Sequence, residues 1–152
     1  MDWREFVSRQ NTLTLATTNA DGSPHACDLF FTHAESTFYF LSDPKTRHVR
    51  NFLRDARVSA TIHGASQGWQ DIRGMQIIGQ VSRVEQTIER ARGFALYIGK
   101  FPFVASWLAS VEALGQAHEK LGVIELYEIN AHWMRWIDNA QGFGHKEEFE
   151  FS

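Results

Sequence analysis

Thr37-Phe-Tyr-Phe-Leu-Ser-Asp-Pro-Lys-Thr-Arg-His-Val-Arg-Asn-Phe-Leu-Arg-Asp-Ala-Arg-Val58 changes its period in the middle. Thr37 to Leu41 is short, aromatic-rich and apolar, which reads as a strand. At Ser42-Asp43-Pro44 the repeat switches from two to 3.6. Asp43 suits an N-cap, Pro44 suits the first helical position, and Val49, Phe52 and Leu53 make one apolar stripe, which predicts a helix from Pro44 to about Arg54. Arg57-Val-Ser-Ala-Thr-Ile-His63 then returns to a strand pattern. The sequence on either side decides what kind of sheet this helix joins.

Towards the N-terminus, Trp3 to Gln10 carries Trp3, Phe6 and Val7 at helical spacing. Thr12 to Thr18 alternates Leu13 and Leu15 with Thr, Asn19-Ala-Asp-Gly-Ser-Pro24 is a turn, and His25 to Thr32 is the next strand. With Thr37 to Leu41 these make a hairpin meander, which is antiparallel by construction. Towards the C-terminus, Ile72 to Val84 is a long strand and Glu85 to Ile98 a helix that Lys100-Phe-Pro-Phe103 breaks. A short helix from Val104 to Leu108 follows, then strands at Gly122 to Tyr127, Trp133 to Ile137 and Phe149 to Phe151. Hairpins outnumber strand–helix alternations. The predicted class is therefore α+β and mainly β, a six- to seven-stranded antiparallel barrel with peripheral helices, as a single domain over 1–152.

The chain has 152 residues, a size that buries enough surface to fold without disulfides. Fifteen Lys and Arg against eighteen Asp and Glu leave a net charge of −3, which argues against nucleic acid or an anionic membrane as the main partner. One cysteine, Cys27, excludes an internal disulfide and reads as a small core residue. No stretch approaches the apolar length of a membrane helix, and Met1 to Glu5 has neither a basic nor an apolar run. A cytoplasmic, unprocessed chain is expected.

Ser42 to Asn51 also carries the chemistry. It puts Lys45, Thr46 and Arg47 on the first turn of a helix, where free N–H groups and the positive end of the helix dipole meet cationic side chains, as a phosphate requires. Two features weigh against this. An Asp43 cap would occupy one N–H and repel an anion, and Lys45, Arg47, Arg50 and Arg54 equally suit the solvated face of an amphipathic helix. Lys45 to Arg57 holds five cations against Asp55 alone, so the acidic whole conceals a positive patch. No Gly-rich nucleotide loop, His-Glu-x-x-His or Gly-x-Ser-x-Gly occurs. His25, His33, His48, His63, His118, His132 and His145 have no chelating spacing, and no metal is expected. Gly74 and Gly79 interrupt a good strand, marking a bend, a bulge or the close approach of a ligand or another backbone, or simply a barrel corner. Gln76 and Gln80 offer amides to a heterocycle edge or to solvent. Phe101, Phe103, Trp107, Trp133, Trp136 and Phe143 offer flat surfaces to a core, an interface or a ligand.

Asp21-Gly-Ser-Pro-His25, Phe38-Tyr-Phe-Leu-Ser42 and His48-Val-Arg-Asn-Phe-Leu-Arg-Asp-Ala-Arg-Val58, in this order, resemble the FMN-binding split barrels similar to pyridoxamine 5′-phosphate oxidase, over about Leu13 to Lys146. Lys45-Thr-Arg-His48, Arg73-Gly-x-Gln76, Phe101-Pro102 and Ile137-Asp-Asn-x-x-Gly-Phe-Gly-x-Lys146 more closely resemble a small bacterial subfamily of uncharacterised split-barrel proteins. The resemblance implies a split β-barrel homodimer with two FMN sites in the grooves between subunits, acting as a flavin-dependent oxidoreductase of unknown substrate. In that family a Lys precedes the x-x-Asn element and binds the phosphate. Here His48 stands at the matching position, with Asn51 retained, and a neutral imidazole supplies one donor and no charge. Lys45 and Arg47 are then the expected phosphate ligands, with Ser42 and Thr46 as hydroxyl donors and Gln76 against the flavin. The Phe101-Pro102-Phe103 and Gly142-Phe143-Gly144 segments would close the groove. The alternatives are F420 in place of FMN, a non-catalytic module that holds flavin or binds haem through a His, and a ligand-free structural dimer.

Overall fold

The computed structural model describes residues 1–106 and 124–152. Its strands are β1 (Thr12–Thr18), β2 (Pro24–Phe30), β3 (Thr32–Ala34), β4 (Thr37–Ser42), β5 (Arg57–His63), β6 (Arg73–Arg83), β7 (Glu125–Asp138) and β8 (Lys146–Glu150). The helices are α1 (Trp3–Arg9), α2 (Arg47–Arg54) and α3 (Thr87–Lys100), with 3₁₀ turns at Trp69–Asp71 and Asn139–Gln141. All eight strands belong to one antiparallel sheet in the order β2-β1-β5-β6-β7-β4-β3, with β8 also paired to β7. The expected class, mainly β and antiparallel with peripheral helices, is what the chain forms, as a half-barrel of eight described strands where six or seven were expected. The expected helix at Val104 to Leu108 falls partly outside the described residues, as do Trp107 and His118; the backbone is helical over 102–106.

Several boundaries differ from expectation: His25 to Thr32, expected as one strand, ends at Phe30, with Thr32 opening β3, and the C-terminal strands differ for a physical reason. Gly122 to Tyr127 and Trp133 to Ile137 read as two strands, but residues 125–138 run as one, whose first half pairs with β4 and whose second half pairs with β8. Its middle carries polar Asn130 and His132, which face solvent, so the apolar pattern breaks where the backbone does not. The register with β6 shifts between Ile78 and Gly79, and His132 is the extra residue of the bulge.

The inner face alternates as the pattern demands. Leu13 and Leu15 of β1, Phe38 and Phe40 of β4, Ile62 of β5, Met75 and Ile77 of β6, and Tyr127, Ile129, Met134 and Trp136 of β7 are buried in one cluster. Trp3, Phe6 and Val7 seat α1 on it, and Val49 and Phe52 seat α2. The Phe6 ring lies 5.0 Å from Trp136, and Phe52 meets Tyr127 edge-on at 5.0 Å. The stripe expected on α2 is narrower than Val49, Phe52 and Leu53. Leu53 is exposed, and His48 and Asn51 are buried in its place. Lys100 closes the opposite side, its Nζ donating to Gln10 O at 2.6 Å.

Candidate functional site

The Asp43-Pro44 pair does not begin the helix. Asp43 accepts the Lys45 N–H on its side chain at 2.8 Å and the Thr46 N–H on its carbonyl at 3.0 Å, forming a turn with Pro44 at its second position, and α2 starts three residues later. Asp is a better turn-former here than a cap because its carboxylate reaches the N–H two residues on. The Asp43 carboxylate therefore occupies the Lys45 N–H and none of the leading N–H groups of α2, though its charge stays on the turn before the helix. Thr46 takes the N-cap position without a side-chain cap, and no acidic residue lies in the first turn. The leading N–H groups of α2 keep their capacity to donate.

His48 points inwards. Its Nε2 contacts the Ser42 hydroxyl, and Thr46 Oγ1 lies 3.3 Å away. Thr46 donates its own proton to Asp43 O at 2.8 Å. Burial, and to a smaller degree the nearby His25, pulls the His48 pKa below the usual histidine value, so the ring is neutral at pH 7. Of the expected site residues, the fold thus gathers Ser42, Thr46, Arg47, His48 and Asn51 around one strand-to-helix junction. Lys45 is exposed on the turn before it.

A groove of about 510 Å³ runs alongside α2. Arg47, Arg50, Asn51 and Arg54 form one wall, and Asn19, Ala20, Asp21 and Ser23 of the β1–β2 turn form the other. Asn51 is 4% exposed and donates through Nδ2 to Thr17 Oγ1 at 3.0 Å and Asn19 Oδ1 at 2.9 Å, which pins the turn to the helix. The Arg54 guanidinium donates to Thr18 O. Sequence reasoning missed Arg50, Arg54, Asn19 and Ser23 as site residues. Their signal was the 47, 50, 54 spacing, one face of a helix, but nothing local says that a distant hairpin closes that face.

Gln76 sits elsewhere, on the outer face of the sheet. The registers align Asp28, Thr14, Thr61, Gln76, Arg135 and Glu148 in one row across five neighbouring pairings, with Ala26, Ala16, Ser59, Ile78, Trp133 and Glu150 in the next. Among the described residues no hydrogen bond joins Gln76 to the α2 junction. On the opposite, inner face, at the end of β6 remote from α2 and in line with Met75 and Trp136, Arg73 Nε donates to Asp138 Oδ1 at 2.9 Å, and Asp138 is 1% exposed. Burial raises its pKa, but hydrogen bonds from Arg73, Gln141 and Ala140 outweigh that and hold the carboxyl below its usual range. Asn139 reaches Trp69 O at 2.8 Å and accepts from Gly144 N at 3.1 Å. The two loops so joined hold Trp69 and Phe143 edge-to-face at 5.5 Å. Trp136 and Phe101, by contrast, are core, and Cys27 is half-buried with its thiol pKa pushed up by burial. Among the described residues no group of three potential metal ligands occurs, and no helix is long and apolar enough to cross a membrane.

The sequence model of pyridoxamine 5′-phosphate oxidase matches residues 2–135. The UPF0306 protein of Klebsiella pneumoniae strain 342 is 29% identical over 143 residues, covering 93% of this chain and 86% of the relative. The UPF0306 protein YhbP of Escherichia coli SMS-3-5 is 33% identical over 110 residues, 72% of this chain and 63% of that one. Among solved structures, the haem-binding protein of Mycobacterium smegmatis superposes with a TM-score of 0.74 at 19% identity, over 97% of this chain and 55% of its own. At that identity the likeness speaks to fold alone. The family match spans most of the chain and the half-barrel agrees with it, so the chain belongs to the pyridoxamine 5′-phosphate oxidase family, in company with the bacterial UPF0306 proteins.

Proposed function

We propose that this protein binds FMN with the phosphate at the start of α2, and that it acts as a cytoplasmic flavin-dependent oxidoreductase built as a homodimer. The observation that carries the reading is the helix start itself: N–H groups without a side-chain cap, no carboxylate in the first turn, and Arg47 lining the adjoining groove. That donor set suits a phosphate monoester. Bound FMN supplies the hydride or electron transfer, and the protein orients it and governs access. Arg47 provides the bidentate charge-assisted contact, Lys45 adds longer-range charge from the turn, and the neutral His48, braced by Ser42 and Thr46, contributes shape and one hydrogen bond. Asn51 fixes the hairpin beside them. Gln76 faces outwards from mid-sheet, where a flavin laid along the strands between two subunits would meet its amide. The outer face, with Ile78 at 43% exposure beside Trp133, supports self-association there.

The absorption spectrum of protein purified without added cofactor tests the reading. Flavin bands, or uptake of FMN in a titration, are expected, and bleaching by NAD(P)H separates an enzyme from a storage module. A haem spectrum, or colourless protein that ignores FMN, overturns it. Arg47→Ala should weaken FMN binding by about 2 kcal/mol, roughly 30-fold, and Lys45→Ala by less because Lys45 lies outside the groove. Unchanged affinity in Arg47→Ala removes the phosphate assignment.

A further inference from the structure

The groove beside α2 is longer and more cationic than one phosphate monoester needs. Arg47, Arg50 and Arg54 recur at three- and four-residue steps and so project from one face, spread over about 10 Å of helix axis. Opposite them lies a single carboxylate, Asp21, which already accepts from the Ser23 N–H at 3.0 Å and the Ser23 hydroxyl at 2.5 Å. The lining therefore has a surplus of positive charge. Among the described residues neither Arg47 nor Arg50 is in an ion pair, although Arg4, Arg9, Arg57, Arg73, Arg83, Arg90 and Arg135 all are. The walls are also preorganised. Asn51 ties the hairpin to the helix through Thr17 and Asn19, and Arg54 is held on Thr18 O. A merely solvated helix face would lack an opposing wall braced by a buried asparagine.

We propose that this groove is a second anion subsite, continuous with the junction at Arg47, that takes the diphosphate of a dinucleotide-like ligand. The first phosphate lies at the start of α2 beside Arg47, and the second lies against Arg50 and Arg54, with Asn19 and Ser23 of the β1–β2 turn facing it. FMN alone fills only the first position. The subsite thus selects a ligand, cofactor or substrate, that carries two linked phosphates. The placement of the first phosphate rests on the proposed function, but the surplus charge of the groove does not.

Calorimetric titration of the full chain with orthophosphate, pyrophosphate and FMN tests the subsite, using wild type, Arg50→Gln and Arg92→Gln, the last being an exposed arginine on α3. Pyrophosphate should bind at least tenfold more tightly than orthophosphate and compete with FMN. Arg50→Gln should cost pyrophosphate about tenfold while leaving orthophosphate and FMN within about threefold, since one charge-assisted hydrogen bond is at stake. Arg92→Gln should change none of them. Equal affinity for the two phosphates, or a pyrophosphate affinity indifferent to Arg50, overturns the subsite. Arg50-dependent pyrophosphate binding in a protein that ignores FMN upholds the subsite and rejects the flavin reading, whereas FMN binding with no preference for pyrophosphate does the reverse.

Discussion

His48 stands where the wider family resemblance implies a phosphate-binding lysine, and its surroundings explain how the chain accommodates the change. A lysine there would need to keep its ammonium hydrated. The imidazole instead folds against Ser42 and Thr46 and stays uncharged because it is buried. His48→Lys should strengthen FMN binding by about tenfold, one added charge-assisted contact, in a fluorescence titration at pH 7. The same comparison has a pH signature. Below its depressed pKa the wild-type ring gains a proton and a charge, so the advantage of the lysine variant should shrink as pH falls. Taking the ratio of the two proteins cancels the titration of the phosphate itself. Stability moves the other way: between that depressed value and 6.5 the unfolded chain binds more protons than the folded one, so the free protein loses stability on acidification through that window. The strand-to-helix switch is a local signal, so the sequence pattern alone pointed to Lys45, Thr46 and Arg47, whereas His48 and Asn51 entered only through the family resemblance. The pattern did not reveal that Asp43 prefers a turn to a cap, since both uses of Asp-Pro satisfy the same short-range rules.

Among the elements, β6 and β7 set the shape of the sheet, and the bulge between them hangs on one glycine. A Cβ on Gly79 would lie 2.3 Å from Asn130 O and 3.0 Å from Ala131 Cα, both backbone atoms with nowhere to go. Gly79→Ala should therefore cost about 3 kcal/mol in urea unfolding. Gly74→Ala, whose nearest neighbour would be Ile62 O at 3.1 Å, should cost about 1 kcal/mol. A similar loss in both would mean that the bulge tolerates a side chain. The two glycines were visible in the sequence as a bend, a bulge, a corner or the close approach of a ligand or backbone, and at Gly79 the fold uses a bulge against which the backbone of β7 packs closely. The pairing of Arg73 with Asp138 was not visible as such. The two residues belong to separate strings of the bacterial subfamily's pattern, and only the register of β6 on β7 brings them opposite one another.

For the whole molecule, the mainly β half-barrel followed from the hairpin meander and the alternating Leu13 and Leu15. The sheet order did not, because β4 and β6 are brought beside the same strand from far along the chain. The outer face gives the whole-molecule prediction. Ile78→Glu puts a charge on the exposed patch beside Trp133 and should convert the proposed dimer to a monomer in sedimentation equilibrium, with FMN affinity falling in step if the cofactor lies between subunits. A variant that stays dimeric would move the interface elsewhere. The strand shared by β4, β6 and β8 also sets a timetable for synthesis. Ser42 pairs with Glu125, so β4 leaves the ribosome with its edge unmatched until the chain has grown by more than eighty residues, roughly 4 to 16 s at ordinary elongation rates. During that interval the nascent protein carries an apolar strand, Phe38 to Leu41, with one edge open to mispairing until residues 125–130 emerge.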